Sequence, residues 1–119
     1  MKRLLLFALL LPLFATSQII SSDSSSINFG VVMVGSTDSS LVTLTNNSIV
    51  PLNVTNIKFY SIFGEVPFSA SQSTFTIPAN GTRSVWVYFS PTQNILHNST
   101  IVVQHNANSG HEAISLTGQ

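Results

Sequence analysis

The sequence predicts an all-β protein: an immunoglobulin-like antiparallel β-sandwich of about seven to eight strands, preceded by a cleavable signal peptide. Short segments rich in Val, Ile, Thr and Phe are separated by Gly, Pro and Asn at intervals of about eight to twelve residues, which is typical of such folds. No segment keeps a helical apolar period. We divide the chain into a signal peptide at 1–17, a flexible Ser-rich lead-in at 18–26 and a sandwich domain at 27–118.

The first segment has the three parts of a secretion signal. Lys2 and Arg3 supply the positive start, and an apolar stretch follows at 4–14. That stretch is shorter than the roughly 20 residues of a membrane span and fits the apolar region of a signal peptide. Ala15 and Ser17 predict cleavage after Ser17. We therefore expect a secreted, periplasmic or cell-surface protein with no stable membrane span after cleavage; an uncleaved membrane anchor is the alternative.

Composition excludes several classes of function. Once Lys2 and Arg3 are removed, Lys58 and Arg83 are the remaining basic residues, which is too few for a phosphate-binding patch, so nucleic acid is not an expected partner. The sequence contains no cysteine, which excludes disulfides, thiolate metal sites and a cysteine nucleophile. A single apolar core must therefore hold the domain together.

Alternation of apolar and polar residues defines the strands. They are expected at 27–34 (broken near Gly30), 39–46, 51–59, 67–70, 74–77, 82–90, 98–105 and 111–117. Turns at 46–48, 78–81 and 106–110 contain the Asn and Gly residues that tolerate positive φ. The predicted core consists of Val42, Leu44, Val54, Val87, Phe89, Ile101, Val103, Ile114 and Leu116, with Phe29 closing one end.

The third strand contains a break in its alternation. Leu52 and Val54 are in phase with each other, but Ile57 and Phe59 are not in phase with them. A β-bulge or bend near residues 55–56 would let both pairs face the core.

The strand at 82–90 supplies the candidate binding site. If Val85, Val87 and Phe89 point inward, Trp86 and Tyr88 stand together on the outer face. Exposed aromatic side chains are suited to anchoring a protein or stacking on a sugar. The alternative is that a loop or cross-strand neighbours cover them.

Several short motifs resemble a known family when taken in order. They are Asn28-Phe29-Gly30, Val34-Gly35, Thr45-Asn46, Pro51-Leu52-x-Val54, Ile77-Pro78-Ala79-x-Gly81, Phe89-Ser90-Pro91 and Leu116-Thr117-Gly118. Together they resemble ASH/Hydin-type immunoglobulin-like domains, similar to the choice-of-anchor D modules of bacterial secreted proteins, over residues 27–118. The resemblance implies an interaction, spacer or stalk module without shared catalytic residues. We expect either a single-module protein or the N-terminal module of a larger surface protein.

No catalytic or cofactor site is predicted. Gly-x-Ser-x-Gly is absent. His105 and His111 flank a turn and His97 lies further off, which on ligand count does not predict a metal site. Four Asn-x-Ser/Thr sequences, at Asn46, Asn53, Asn80 and Asn98, match the glycosylation pattern.

We therefore predict a non-enzymatic interaction or spacer module whose partner is a protein or a cell-surface polymer. Two alternatives stay open: a carbohydrate-binding module that uses Trp86 and Tyr88, and a domain like a pilus-type periplasmic chaperone. A chaperone of that type lends a strand edge to its client and normally has two domains with a basic cleft.

Overall fold

The computed structural model describes residues 19–61, 66–107 and 112–119, which contain nine β-strands and no helix. The strands are β1 (Ile20–Ser22), β2 (Ser26–Asn28), β3 (Asp38–Asn46), β4 (Leu52–Ser61), β5 (Phe68–Ala70), β6 (Phe75–Ile77), β7 (Thr82–Phe89), β8 (His97–His105) and β9 (Glu112–Gly118). They form a four-stranded sheet in the order β1-β3-β7-β5 and a five-stranded sheet in the order β2-β9-β8-β4-β6. The predicted all-β sandwich is confirmed, and the predicted signal peptide lies outside the described residues.

The start of the domain differs from the prediction. We expected a flexible lead-in at 18–26, but β1 pairs with β3 and places Ile20 opposite Asn46. The Ile20 side chain is 1% exposed and belongs to the core. The chain then crosses to the other sheet, where β2 runs parallel to β9. Ile19 and Ile27 also pack against the core, and Asp23 exchanges hydrogen bonds with the backbone of Thr43.

The predicted strand at 27–34 is also shorter in the structure. Strand β2 ends at Asn28, and residues 29–37 form a loop outside any strand. Gly30 and Gly35 have φ angles of 71° and 90°, a conformation that glycine adopts without steric cost. The Asn28 side chain accepts a hydrogen bond from the Gly30 N–H at 2.9 Å, which fixes the turn out of the strand.

Strand β4 contains the predicted β-bulge. Its register with β8 shifts between Val54 and Asn56. Leu52 and Val54 are buried before the shift, and Ile57 is buried after it. The bulge therefore corrects the phase of the strand, as the sequence indicated.

The core fills the space between the two sheets. All nine predicted core residues are at most 2% exposed. The structure adds six buried apolar residues to them: Ile20, Leu52, Ile57, Phe68, Ile77 and Val85. Phe29 is half-buried against this cluster.

Aromatic rings close one end of the sandwich around Phe89. Its ring centroid lies 4.9 Å from that of Phe68, 5.5 Å from Phe29 and 5.7 Å from His97. Gly118 passes directly over the ring, because a Cβ atom there would lie 2.5 Å from Phe89 Cε2. This close approach requires glycine at position 118.

A buried asparagine organises the opposite end. Asn46 is 0% exposed, and its Nδ2 group donates to the carbonyl oxygens of Val50, Ile77 and Pro78 at 2.8, 3.1 and 3.1 Å. Its Oδ1 accepts from the N–H and hydroxyl of Ser48. The side chain thus ties two turns together and is inaccessible as a glycan acceptor.

Candidate interaction surface

Trp86 and Tyr88 stand on the outer face of the four-stranded sheet. The residues that alternate with them in β7 (Val85, Val87 and Phe89) are at most 2% exposed. The Trp86 side chain is 44% exposed, and Tyr88 is half-buried. The structure therefore places the two predicted site residues together and leaves the tryptophan accessible.

Leu41 extends this surface and was not singled out in the sequence. It lies directly opposite Trp86 in the β3–β7 register and is 45% exposed. Residues opposite each other in an antiparallel pair share a face, so Leu41, Trp86 and Tyr88 form what we call the aromatic strip. Alternation with Val42 marks Leu41 as outward, but its position beside Trp86 follows only from the register.

The backbone under the aromatic strip is held from both sides. Strand β3 pairs with β7 along nearly its whole length. On the other side, Trp86 N–H donates to Ser71 Oγ at 3.0 Å, and Ser71 N–H donates to the Trp86 carbonyl at 2.9 Å. A side chain on such a support loses little additional backbone freedom when it binds a partner.

Hydroxyl groups surround the strip. Ser39 and Ser69 lie opposite Tyr88 on the two neighbouring strands. Two residues from Leu41 and Trp86, on the side away from Tyr88, Thr43 Oγ1 and Ser84 Oγ are 2.9 Å apart and hydrogen-bonded. The strip is therefore an apolar surface bordered by hydroxyl groups.

The histidines do not assemble into a site among the described residues. His97 and His105 occupy the two ends of β8, about 26 Å apart at the usual rise of a strand. Both are buried, and His97 Nε2 lies 3.3 Å from the Gln93 carbonyl oxygen. His111, the proposed neighbour of His105, lies outside the described residues. Over the described ranges, no group of three or more His, Asp or Glu side chains is placed to hold a metal ion.

The two basic residues of the described chain lie in different sheets. Lys58 is in β4, with its Nζ 5.2 Å from the centroid of the Tyr60 ring. Arg83 is in β7, where it donates to Gln72 Oε1 at 2.8 Å and lies over the Phe75 ring. They do not form a common basic cleft. The same part of the chain contains no helix that is long and apolar enough to cross a membrane.

The fold is that of an ASH/PapD-like domain. The family of Cep192 domain 4 matches residues 17–119, and the chain belongs to this family. The ASH/PapD-like domain 7 of human Cep192 has a similar structure, with a TM-score of 0.70 and 16% identity, covering 87% of this chain and 85% of that one. The resemblance to ASH-type domains is thus confirmed. No curated protein sequence matches the chain significantly.

Two bacterial structures contain the same fold within longer chains. The CupB2 chaperone of Pseudomonas aeruginosa is similar with a TM-score of 0.65 and 11% identity, covering 83% of this chain and 54% of that one. A family 123 glycoside hydrolase of Clostridium perfringens is similar with a TM-score of 0.62 and 14% identity, covering 79% of this chain and 22% of that enzyme. At these identities the likeness shows a shared fold.

Proposed function

We propose that this chain is an exported, non-enzymatic interaction module that binds a protein partner through the aromatic strip. The observation that carries the proposal is the exposure of Trp86 beside Leu41 on a firmly supported strand. Tryptophan and tyrosine dominate the energetics of protein interfaces because they bury a large apolar area with few rotatable bonds. Membership of a family of ASH/PapD-like domains supports the absence of a catalytic role.

A protein partner fits the strip better than the two other candidates do. A glycan remains the second candidate, since an exposed indole beside serine hydroxyls can stack on a sugar ring and hydrogen-bond to it. Leu41 favours the protein, because an aliphatic side chain offers a sugar neither stacking nor hydrogen bonds. The chaperone-like role is less favoured, because Lys58 and Arg83 come from strands of different sheets and do not form a common basic cleft.

Export is part of the proposal and rests on the N-terminal sequence. A positive start, a short apolar stretch and small residues at Ala15 and Ser17 support cleavage by a signal peptidase. Mass spectrometry of protein recovered from the producing cells and their medium tests this. We expect a mature N-terminus at Gln18, whereas a folded product that retains residues 1–17 would contradict export by cleavage.

Photo-crosslinking tests the binding surface. A photoreactive amino acid placed at position 86 in the producing cells should give a discrete adduct with a partner protein. The matched control places the same amino acid at position 49. Ile49 is 86% exposed and lies in the loop between β3 and β4, at the Asn46 end of the sandwich. Equal adducts from both positions would overturn the assignment to the strip.

The substitution Trp86→Ala separates binding from folding. Since Trp86 is partly exposed, we expect a melting temperature within a few degrees of the parent and loss of the partner in co-purification. A glycan array probed with the parent protein and with Trp86→Ala tests the second candidate. Glycan binding that Trp86→Ala abolishes would show that the strip binds carbohydrate. A large loss of stability would instead assign Trp86 to packing.

A further inference from the structure

Strand β3 has a free edge over its first half. On one side β7 pairs with β3 along residues 38–45, whereas on the other side β1 pairs with it only at residues 44–46. Next to β1, the Asp23 N–H donates to the Thr43 carbonyl at 3.1 Å, and Asp23 Oδ1 accepts from the Thr43 N–H at 3.0 Å. The chain then crosses to the other sheet. Among the described residues, no strand therefore lies beside residues 38–42 on this side.

The backbone of Leu41 points toward this free edge. Trp86 lies directly opposite Leu41, but its N–H and carbonyl bond to Ser71 on the far side of β7. Leu41 and Trp86 are therefore a pair without mutual backbone hydrogen bonds, in which the backbone groups of each residue point away from the other. No described residue bonds to the Leu41 N–H or carbonyl.

The free edge also lacks the features that usually protect an edge strand. Alternation places the Ser39 carbonyl on the same side as the Leu41 backbone, while the Ser39 N–H donates to Asp38 Oδ1 at 2.8 Å. Residues 39–42 contain no lysine or proline, and the β3–β7 register runs through them without a bulge. Leu41 is 45% exposed. An open edge of this kind is a template for another extended chain.

Acidic residues at both ends of the free edge indicate what chemistry fits it. Asp23 covers Thr43 and Asp38 begins the strand, so the two are about 17 Å apart at the usual rise of a strand. The two basic residues of the described chain, Lys58 and Arg83, have other contacts. A second copy paired antiparallel at this edge would bring Asp38 of each copy toward Asp23 of the other, where like charges repel. A segment with basic residues at its ends complements the edge instead.

We propose that an extended segment of the partner protein adds to the free edge of β3 as an antiparallel strand in line with β1. The segment carries an apolar residue beside Leu41 and basic residues near Asp23 and Asp38. Antiparallel pairing lets one residue of the segment bond to both backbone groups of Leu41, and its side chain then extends the aromatic strip on the outer face. The proposal rests on the proposed function, because it names the part of the partner that the strip recognises.

NMR titration with synthetic peptides tests this pairing on protein purified from cells that express the full chain. The probe is the acetylated and amidated peptide Lys-Thr-Ile-Ser-Ile-Thr-Lys, whose lysines flank a stretch as long as residues 38–42; the control peptide has glutamate in place of both lysines. The lysine peptide should bind with a dissociation constant between about 10 µM and about 1 mM, and the glutamate peptide at least about tenfold more weakly. With the lysine peptide at ten times its dissociation constant, the Leu41 amide should exchange with water about tenfold more slowly.

Two substitutions at position 41 separate the backbone from the side chain. Leu41→Ala removes the side chain and keeps the N–H, whereas Leu41→Pro removes the N–H as well. Proline is tolerated on an edge strand where the N–H faces solvent, so we expect both variants to fold. Leu41→Pro should bind the lysine peptide at least about tenfold more weakly than Leu41→Ala, because it loses a hydrogen bond and its ring obstructs the pairing.

A backbone ester keeps the test decisive if Leu41→Pro does not fold. Incorporation of the α-hydroxy analogue of leucine at position 41 removes the N–H and retains the side chain. This variant should bind the lysine peptide at least about threefold more weakly than the parent.

Several results would overturn the proposal. They are the absence of peptide binding, an unprotected Leu41 amide in the complex, equal binding of the two peptides, and equal binding by Leu41→Ala and Leu41→Pro. Protection of the Leu41 amide without peptide, together with a dimer in sedimentation velocity, would assign the edge to a second copy.

Failure of the edge and failure of the proposed function give different results. A partner that crosslinks from position 86 and is lost with Trp86→Ala, but not with the ester at position 41, would leave the strip in place and overturn strand addition. A partner that is lost with the ester and retained by Trp86→Ala would support strand addition and overturn the strip.

Discussion

Truncation of Phe89 to alanine should remove the packing that closes one end of the sandwich. The side chain is 0% exposed and contacts the rings of Phe68, Phe29 and His97. Gly118 has no side chain that can move into the space left by the ring. We therefore expect a loss at the full value for a buried phenylalanine, about 3 to 5 kcal/mol. Typical domains are stabilised by roughly 5 to 15 kcal/mol in total.

Thermal unfolding followed by circular dichroism measures this loss. For a domain of this size, 1 kcal/mol corresponds to about 4 to 8 °C, so the melting temperature should fall by about 12 to 40 °C. Phe89→Leu is the matched control, because it keeps most of the apolar volume and should cost about 1 to 2 kcal/mol. A Phe89→Ala protein that melts within a few degrees of the parent would show that the aromatic cluster contributes little to stability.

Two further predictions concern polar side chains, one fully buried and one partly buried. Asn46→Ala removes the hydrogen bonds of a fully buried side chain to three carbonyl oxygens and to Ser48 and should cost at least about 2 kcal/mol in urea unfolding. Asn47→Ala at the exposed neighbour should cost under about 0.5 kcal/mol. Equal costs would contradict the role of Asn46. Burial raises the pKa of the Glu112 carboxyl above its ordinary 4.5, although a hydrogen bond from the Ser22 backbone opposes the shift. Between about pH 4.5 and the raised pKa, the folded state holds a proton that the unfolded state has lost, so the free energy of unfolding should fall as pH rises through this range. Glu112→Gln should flatten this slope when thermal melts are measured across pH. An unchanged slope would show that the Glu112 carboxyl is not its source.

The long strands were predictable because their signal is local. In β3, β7 and β8 the apolar residues alternate over several positions, and this alone indicates which face each strand buries. The bulge in β4 was predictable for the same reason, since the change of phase between Val54 and Ile57 is visible in the sequence. The outward position of Trp86 and Tyr88 follows from the same alternation.

The edges and loops were not predictable because they depend on non-local pairing. Strand β1 has three residues, and nothing nearby in the sequence indicates that Ile20 pairs opposite Asn46. The apolar run at 31–34 has the composition of a strand, but hydrogen bonds to Gln119 and Pro91 hold it as an exposed loop. In the same way, the position of Leu41 beside Trp86 required a register that composition does not specify.

Strand β7 carries core residues on one face and the proposed binding residues on the other. Its inward residues Val85, Val87 and Phe89 contribute to a core that has no disulfide to support it. Its outward residues Trp86 and Tyr88 belong to the aromatic strip, on the other side of the same backbone. Because neighbouring side chains point to opposite faces, a substitution at 86 should alter the proposed binding surface without opening a cavity in the core. Substitutions at the inward positions should therefore act on unfolding, and those at the outward positions on binding.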